Sequence, residues 1–177
     1  VWDSTHGHNL LKTPASEPTV AAGSIVIDGD LSEWDSGSIF YETADIDQGS
    51  PTSSGYEDVY LANDAANLYI GLETKGSGGG TISNPWTHSI YLDTDMNAGT
   101  GYNFGWGSTY GYDHRIQYGA GGTLFYVSEF TGATQSDNSW NPLGSIMYAY
   151  NNDIAELSVP LSALGLSGGD STRVELN

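Results

Sequence analysis

From Ser24 onward the chain is cut into short runs of alternating apolar and polar residues by clusters of Gly, Asn, Asp and Ser, and this punctuation limits the fold more than any other feature. Successive side chains of a strand point to opposite faces, so such runs suit half-buried strands and have the wrong period for core-covering helices. Residues 58–62 set Val59 and Leu61 against Tyr60 and Ala62, and residues 68–73 put Leu68, Ile70 and Leu72 on one side. Asn63-Asp64-Ala65-Ala66-Asn67 joins these two runs as a hairpin. Residues 24–27, 87–93, 113–118, 124–130, 145–150, 154–159 and 172–176 read as further strands, with Ala155, Leu157 and Val159 inward. Pro160-Leu161-Ser162-Ala163-Leu164-Gly165 reads as one helical turn closed by glycine. The expectation is an all-β chain of about nine strands, an antiparallel β-sandwich of immunoglobulin-like or jelly-roll type.

Residues 1–22 carry Pro14 and Pro18 in a Ser/Thr/Ala stretch, show no strand or helix period, and read as an N-terminal arm or linker. Residues 23–177 are then one sandwich domain, since a chain of 177 residues builds one sizeable core and is short for two. An arm of this kind becomes ordered by lying on its own domain or on another copy of the chain.

Charge removes several functions. Four Lys and Arg against 22 Asp and Glu give a net charge of -18, which argues against nucleic acid and anionic membranes as partners. No run approaches the roughly 20 apolar residues of a membrane span, so membrane insertion is not expected. Such acidity fits an extracellular or cell-surface setting, where cations screen self-repulsion, and favours oxygen-rich cation sites. The chain has no cysteine, which excludes disulfides, thiolate-zinc sites and a cysteine nucleophile. It begins Val1-Trp2-Asp3 with no visible signal peptide, so export implies one already removed.

The sharpest local signal is Tyr91-Leu92-Asp93-Thr94-Asp95-Met96-Asn97-Ala98-Gly99-Thr100-Gly101-Tyr102, followed by Asp113. Asp93, Asp95 and Asn97 sit at alternate positions and turn to a common centre when the chain curls, and glycine permits that curl. The Gly99 carbonyl and Asp113 complete an expected Ca2+ shell. The flanks are strands and no Glu stands at the twelfth position, so the loop is no EF-hand. The competing reading is an Asx-rich hairpin whose side chains cap their own backbone.

A resemblance now joins these pieces. The run Ile27-Asp28-Gly29-Asp30-Leu31-Ser32-Glu33-Trp34, the pair Asp58-Val59-Tyr60-Leu61-Ala62-Asn63-Asp64 and Asn67-Leu68-Tyr69-Ile70, the Leu92-Asp93-Thr94-Asp95 loop ending Thr100-Gly101-Tyr102, and Leu157-Ser158-Val159-Pro160-Leu161 with Leu164-Gly165-Leu166 resemble family 9 carbohydrate-binding modules and their DOMON-like relatives. The likeness covers most of residues 24–176 in the expected order. It implies a calcium-containing β-sandwich attached to secreted polysaccharide-active enzymes or surface proteins. The arm and the Gly-rich stretch at 76–80 depart from the pattern, so no ligand identity is carried over.

Modules of that family grip sugars with exposed rings, and this sequence offers them. Tyr102, Phe104, Trp106, Tyr110 and Tyr112 alternate with glycines, and Trp86 and Trp140 lie in Asn/Pro-flanked loops. Rings stack on the C–H faces of pyranoses while amides and carboxylates take the hydroxyls; the competing role is to cover the core edge. Trp34 reads as core. Glu33 with Asp35, and Asp45 with Asp47, are read as solvated acids rather than glycosidase pairs. His6 and His8 read as a solvated pair in the arm, and the spacing of His88 and Met96 does not single out a haem. The expected function is a non-catalytic extracellular carbohydrate-binding module stabilised by calcium, with a polysaccharide or glycan as partner. The alternative is a structural subunit of an extracellular filament, surface layer or matrix whose residues 1–22 pack on a neighbouring copy.

Overall fold

A computed structural model describes residues 2–3, 8–12, 24–34, 39–42, 56–74, 89–103, 110–118, 125–151, 154–168, 170 and 172–176. They form β1 (Trp2–Asp3), β2 (His8–Lys12), β3 (Ile39–Glu42), β4 (Tyr56–Asn63), β5 (Asn67–Thr74), β6 (Ser89–Asp93), β7 (His114–Tyr118), β8 (Phe125–Phe130), β9 (Trp140–Ser145), β10 (Met147–Asn151), β11 (Ile154–Pro160) and β12 (Arg173–Leu176). A first sheet runs β1-β2-β12-β6-β7-β8-β9 and a second runs β10-β11-β5-β4-β3. Nine strands, from β4 to β12, make an antiparallel sandwich with five strands in one sheet and four in the other, and β1, β2 and β3 extend its edges.

The alternation in the sequence sets what lies between the sheets. Val59, Leu61, Leu68, Ile70, Leu72, Ala155, Leu157 and Val159 from the second sheet meet Leu92, Ile116, Val127 and Val174 from the first, all nearly or wholly buried. Each large apolar side chain so enclosed contributes about 1.5–3 kcal/mol before chain entropy is counted. Leu161–Leu164 forms a single 3₁₀ turn closed by Gly165, with Leu161 and Leu164 buried.

Three segments differ from the sequence expectation. Residues 24–27 are not a strand; the stretch 24–34 crosses the outer face of the second sheet, burying Ile25 and Trp34 against Ala62 and Tyr69. Gly71 makes room for it, because a Cβ there would lie 3.0 Å from Leu31 Cδ2 and 3.1 Å from Tyr60 Cβ. The second surprise is β9, which contains Pro142 and pairs only with β8 among the described residues. An edge strand tolerates a proline because its outward backbone positions need no partner. The chain then crosses at the buried Ile146 from the edge of one sheet to the edge of the other. Finally, the arm contains strands: Lys12, Leu11, Leu10 and Asn9 of β2 pair with Arg173, Val174, Glu175 and Leu176 of β12. Backbone pairing at a sheet edge requires no alternation in the added segment, which is why residues 1–22 give no strand signal.

Candidate functional site

Asp93 ends β6 on the outer face of the first sheet, because its neighbour Leu92 faces the core. One carboxylate oxygen from each of Asp93, Asp95 and Asp113 lies within 4.8 Å of the others, so the structure gathers three of the five expected metal ligands. Asp113 accepts hydrogen bonds at Oδ2 from the Thr94 amide at 2.8 Å, the Thr94 hydroxyl at 3.1 Å and the Asp95 amide at 3.2 Å. Asp95 accepts from the Asn97 amide and the Thr100 hydroxyl, each at 2.8 Å. Asn97, a fourth expected ligand, serves the turn: its Oδ1 accepts the Gly99 amide at 3.0 Å, and its carbonyl accepts from Thr100. Much of the loop therefore caps its own backbone, as the competing reading foresaw.

Asp93 departs from that pattern. It is wholly buried, and Arg173 Nη1 donates to its Oδ2 at 2.5 Å, but its Oδ1 is buried with no hydrogen-bond partner. Burial pushes its pKa up to about 6 even though Arg173 pulls it down, and the charges of Asp113 and Asp95 push the same way as burial. Desolvation thus outweighs the ion pair, and the site carries uncompensated negative charge. A buried carboxylate with one orphaned oxygen, beside two more carboxylates, fits a hard cation held by oxygen.

The surrounding loops are pressed tightly together. Tyr102 and Tyr112 exchange backbone hydrogen bonds at 2.8 and 2.9 Å. A Cβ at Gly111 would stand 1.6 Å from the Thr100 carbonyl oxygen, so only glycine allows this approach. Gln135, from the loop between β8 and β9, donates through Nε2 to the carbonyls of Ala98 at 2.9 Å and Thr100 at 2.7 Å. It braces the acidic loop from a position nothing in the local sequence marks.

Beside this site lies a ring cluster. Trp140 meets Tyr91, Tyr102 and Phe130 at centroid distances of 5.9, 5.5 and 5.6 Å, and Arg115 lies over its ring at 4.7 Å. Its indole N–H donates to Asn138 Oδ1 at 2.7 Å. Trp140, Tyr102 and Tyr110 keep part of their surface in solvent, and Tyr110 covers the Arg173 guanidinium at 3.9 Å. Tyr112 is fully buried against Tyr91, which removes it from the expected sugar platform. The backbone pairing of Tyr112 with Tyr102 holds it under the acidic loop. Trp86, His88, Phe104 and Trp106 lie outside the described residues.

A second acidic cluster, missed in the sequence, joins Asp28, Glu33 and Glu156 on the outer face of the other sheet. Glu156 is wholly buried, but its oxygens are satisfied: Oε2 accepts the amides of Asp28 at 2.9 Å and Gly29 at 2.6 Å, and Oε1 accepts Trp34 Nε1 at 2.8 Å. This carboxylate is a staple for segment 24–34. No protein-family model matches this chain, and no curated protein matches it.

Proposed function

We propose that the chain is a non-catalytic extracellular carbohydrate-binding module in which calcium, held by Asp93, Asp95 and Asp113, steadies an aromatic surface. Trp140 carries the sugar reading. Its indole remains partly exposed while Asn138, Arg115 and three rings fix its orientation. A ring ordered before the ligand arrives loses little freedom on stacking, so more of the contact energy appears as affinity. Tyr102 and Tyr110 flank it, and Trp86 and Trp106 belong to the same proposal on sequence grounds. The calcium reading rests on the unpartnered Asp93 oxygen beside the carboxylates of Asp95 and Asp113, an all-oxygen donor set of the kind a hard cation takes.

Affinity electrophoresis through β-glucan, xylan, soluble chitin derivatives and starch tests the reading. Wild-type protein should be retarded by one of them, and Trp140→Ala should weaken that interaction about five- to tenfold with Trp140→Phe intermediate. Unretarded migration in every gel overturns the proposal.

The alternative, a filament, surface-layer or matrix subunit, draws on one observation. The arm meets the sandwich through the four-pair β2–β12 edge, a contact that a neighbour's arm would make equally well. Size-exclusion chromatography with and without residues 1–22 decides it, and a monomer in both cases rejects the subunit.

A further inference from the structure

Gln135 joins two loops that lie far apart in the chain. Its Nε2 donates to the carbonyls of Ala98 at 2.9 Å and Thr100 at 2.7 Å, and its own carbonyl accepts the Asn103 amide at 2.8 Å. The Thr100 hydroxyl in turn donates to Asp95 Oδ2 at 2.8 Å, so one end of this chain of bonds is an acid of the metal site. The other end is Trp140. The loop that carries Gln135 is closed by the Thr131 amide on the Ser139 carbonyl at 3.0 Å and by the Thr134 amide on Asp137 Oδ2 at 2.8 Å. It packs so closely on Phe130 that a Cβ at Gly132 would stand 2.4 Å from that ring. From this compact loop Asn138 Oδ1 accepts the Trp140 indole N–H at 2.7 Å.

We propose that Gln135 is a positioning residue that passes the occupancy of the metal site to Trp140, so that calcium and sugar bind cooperatively. This rests on the calcium and carbohydrate reading above and adds its regulation. Three carboxylates without a cation repel one another, and a cation draws Asp95 towards Asp93 and Asp113. Thr100 follows through its hydroxyl, and the Ala98 and Thr100 carbonyls carry Gln135 with them. A loop bonded across itself transmits that movement to the indole through Asn138. The Tyr102 ring offers a second route, since it meets Trp140 at 5.5 Å, but the Tyr102 backbone is clamped to Tyr112 by two hydrogen bonds that do not involve Asp95. Coupling between two binding sites is reciprocal, so a polysaccharide stacked on Trp140 tightens calcium by the factor with which calcium tightens the polysaccharide.

Fluorine NMR of protein labelled with fluorotryptophan tests the link with calcium alone as the probe, the Trp140 resonance being assigned by its loss in Trp140→Phe. Saturating calcium should shift that resonance in wild type. Gln135→Met, similar in length but without N–H donors, and Gln135→Glu, whose carboxylate accepts but does not donate, should each lose most of the shift while calorimetry still records calcium binding. A Gln135 that serves stability alone would lower the melting temperature equally in calcium and in chelator and leave the shift intact, and that result overturns the coupling. A Trp140 resonance that bound calcium leaves unmoved in wild type also overturns it, with the metal site and the aromatic surface then standing as independent features. Wild-type protein that gives no heat with calcium overturns the metal reading and the coupling together.

Discussion

Glu156 and Asp93 are both wholly buried carboxylates on the outer faces of their sheets, and each lies among two other acids. They differ in what faces their oxygens. Three N–H groups converge on Glu156, so its charge is compensated from within the fold. Asp93 has one guanidinium on Oδ2, a smaller contribution from the Met96 amide and an Oδ1 without a hydrogen bond, with two like charges nearby. Three carboxylates in each place thus make a structural fastening in one and a candidate cation site in the other. The number of donors, not the number of acids, separates them.

The contrast is easiest to break at Glu156. Replacing it with Ala leaves three donors, including the Trp34 indole, without an acceptor, and each buried unpaired group costs about 1–3 kcal/mol. Urea denaturation of Glu156→Ala should show a loss of about 3–5 kcal/mol, equal in calcium and in chelator. A loss below about 1 kcal/mol would mean that segment 24–34 is held by its apolar contacts alone.

Calcium provides the next largest effect, and it should act on the other cluster only. At a hundredfold excess over its dissociation constant the ion adds about 2.7 kcal/mol, which for a domain of this size raises the melting temperature by about 5–10 °C. Asp95→Asn should shrink the gap between calcium and chelator to less than half, and magnesium should substitute poorly. Identical wild-type melting curves in calcium and chelator, with no heat of binding in calorimetry, would reduce the loop to a capped turn.

The smallest effect concerns pH. Folding raises the Asp93 pKa to about 6, so the stability tied to its protonated form is complete below pH about 4 and is lost as pH rises through about 6. In chelator, Asp93→Asn should therefore be more stable than wild type by about 1–2 kcal/mol at pH 7, with no advantage at pH 4. His114, whose pKa burial lowers, acts with the opposite sign near the same pH, but both proteins carry it and it cancels in the difference. In calcium the order should reverse, because only wild type keeps the full site.

The sandwich was legible because alternation reports a half-buried sheet directly, and the inward residues of β4, β5 and β11 follow it residue by residue. The edges were not. In β9, Pro142 and Gly144 interrupt the pattern, and exposure on an edge removes the need for alternation. The acidic loop was legible in Asp93, Asp95 and Asp113, because carboxylates concentrated in so short a stretch repel unless something offsets them. Glu156 was not, since it occupies an ordinary outward position on β11; the only hint was a Trp34 indole that needed an acceptor. Gln135 was hidden for a related reason: its partners are backbone carbonyls, which every residue possesses.

The Glu156 fastening also sets an order of events during synthesis. Its donors at Asp28, Gly29 and Trp34 precede it by 128, 127 and 122 residues. Segment 24–34 leaves the ribosome long before β11 exists, so its buried donors must wait for their acceptor even though Ala62 and Tyr69, which cover Ile25 and Trp34, are made earlier. Closing so long a loop is slow, so the segment should dock after the sheets have formed. In pulse-labelled hydrogen exchange during refolding, the amides of Asp28 and Gly29 should gain protection after those of β4 and β5. A chain that docks this segment last leaves Ala62 and Tyr69 bare on the outer face of its second sheet until then, a surface that a chaperone recognising apolar strands would bind.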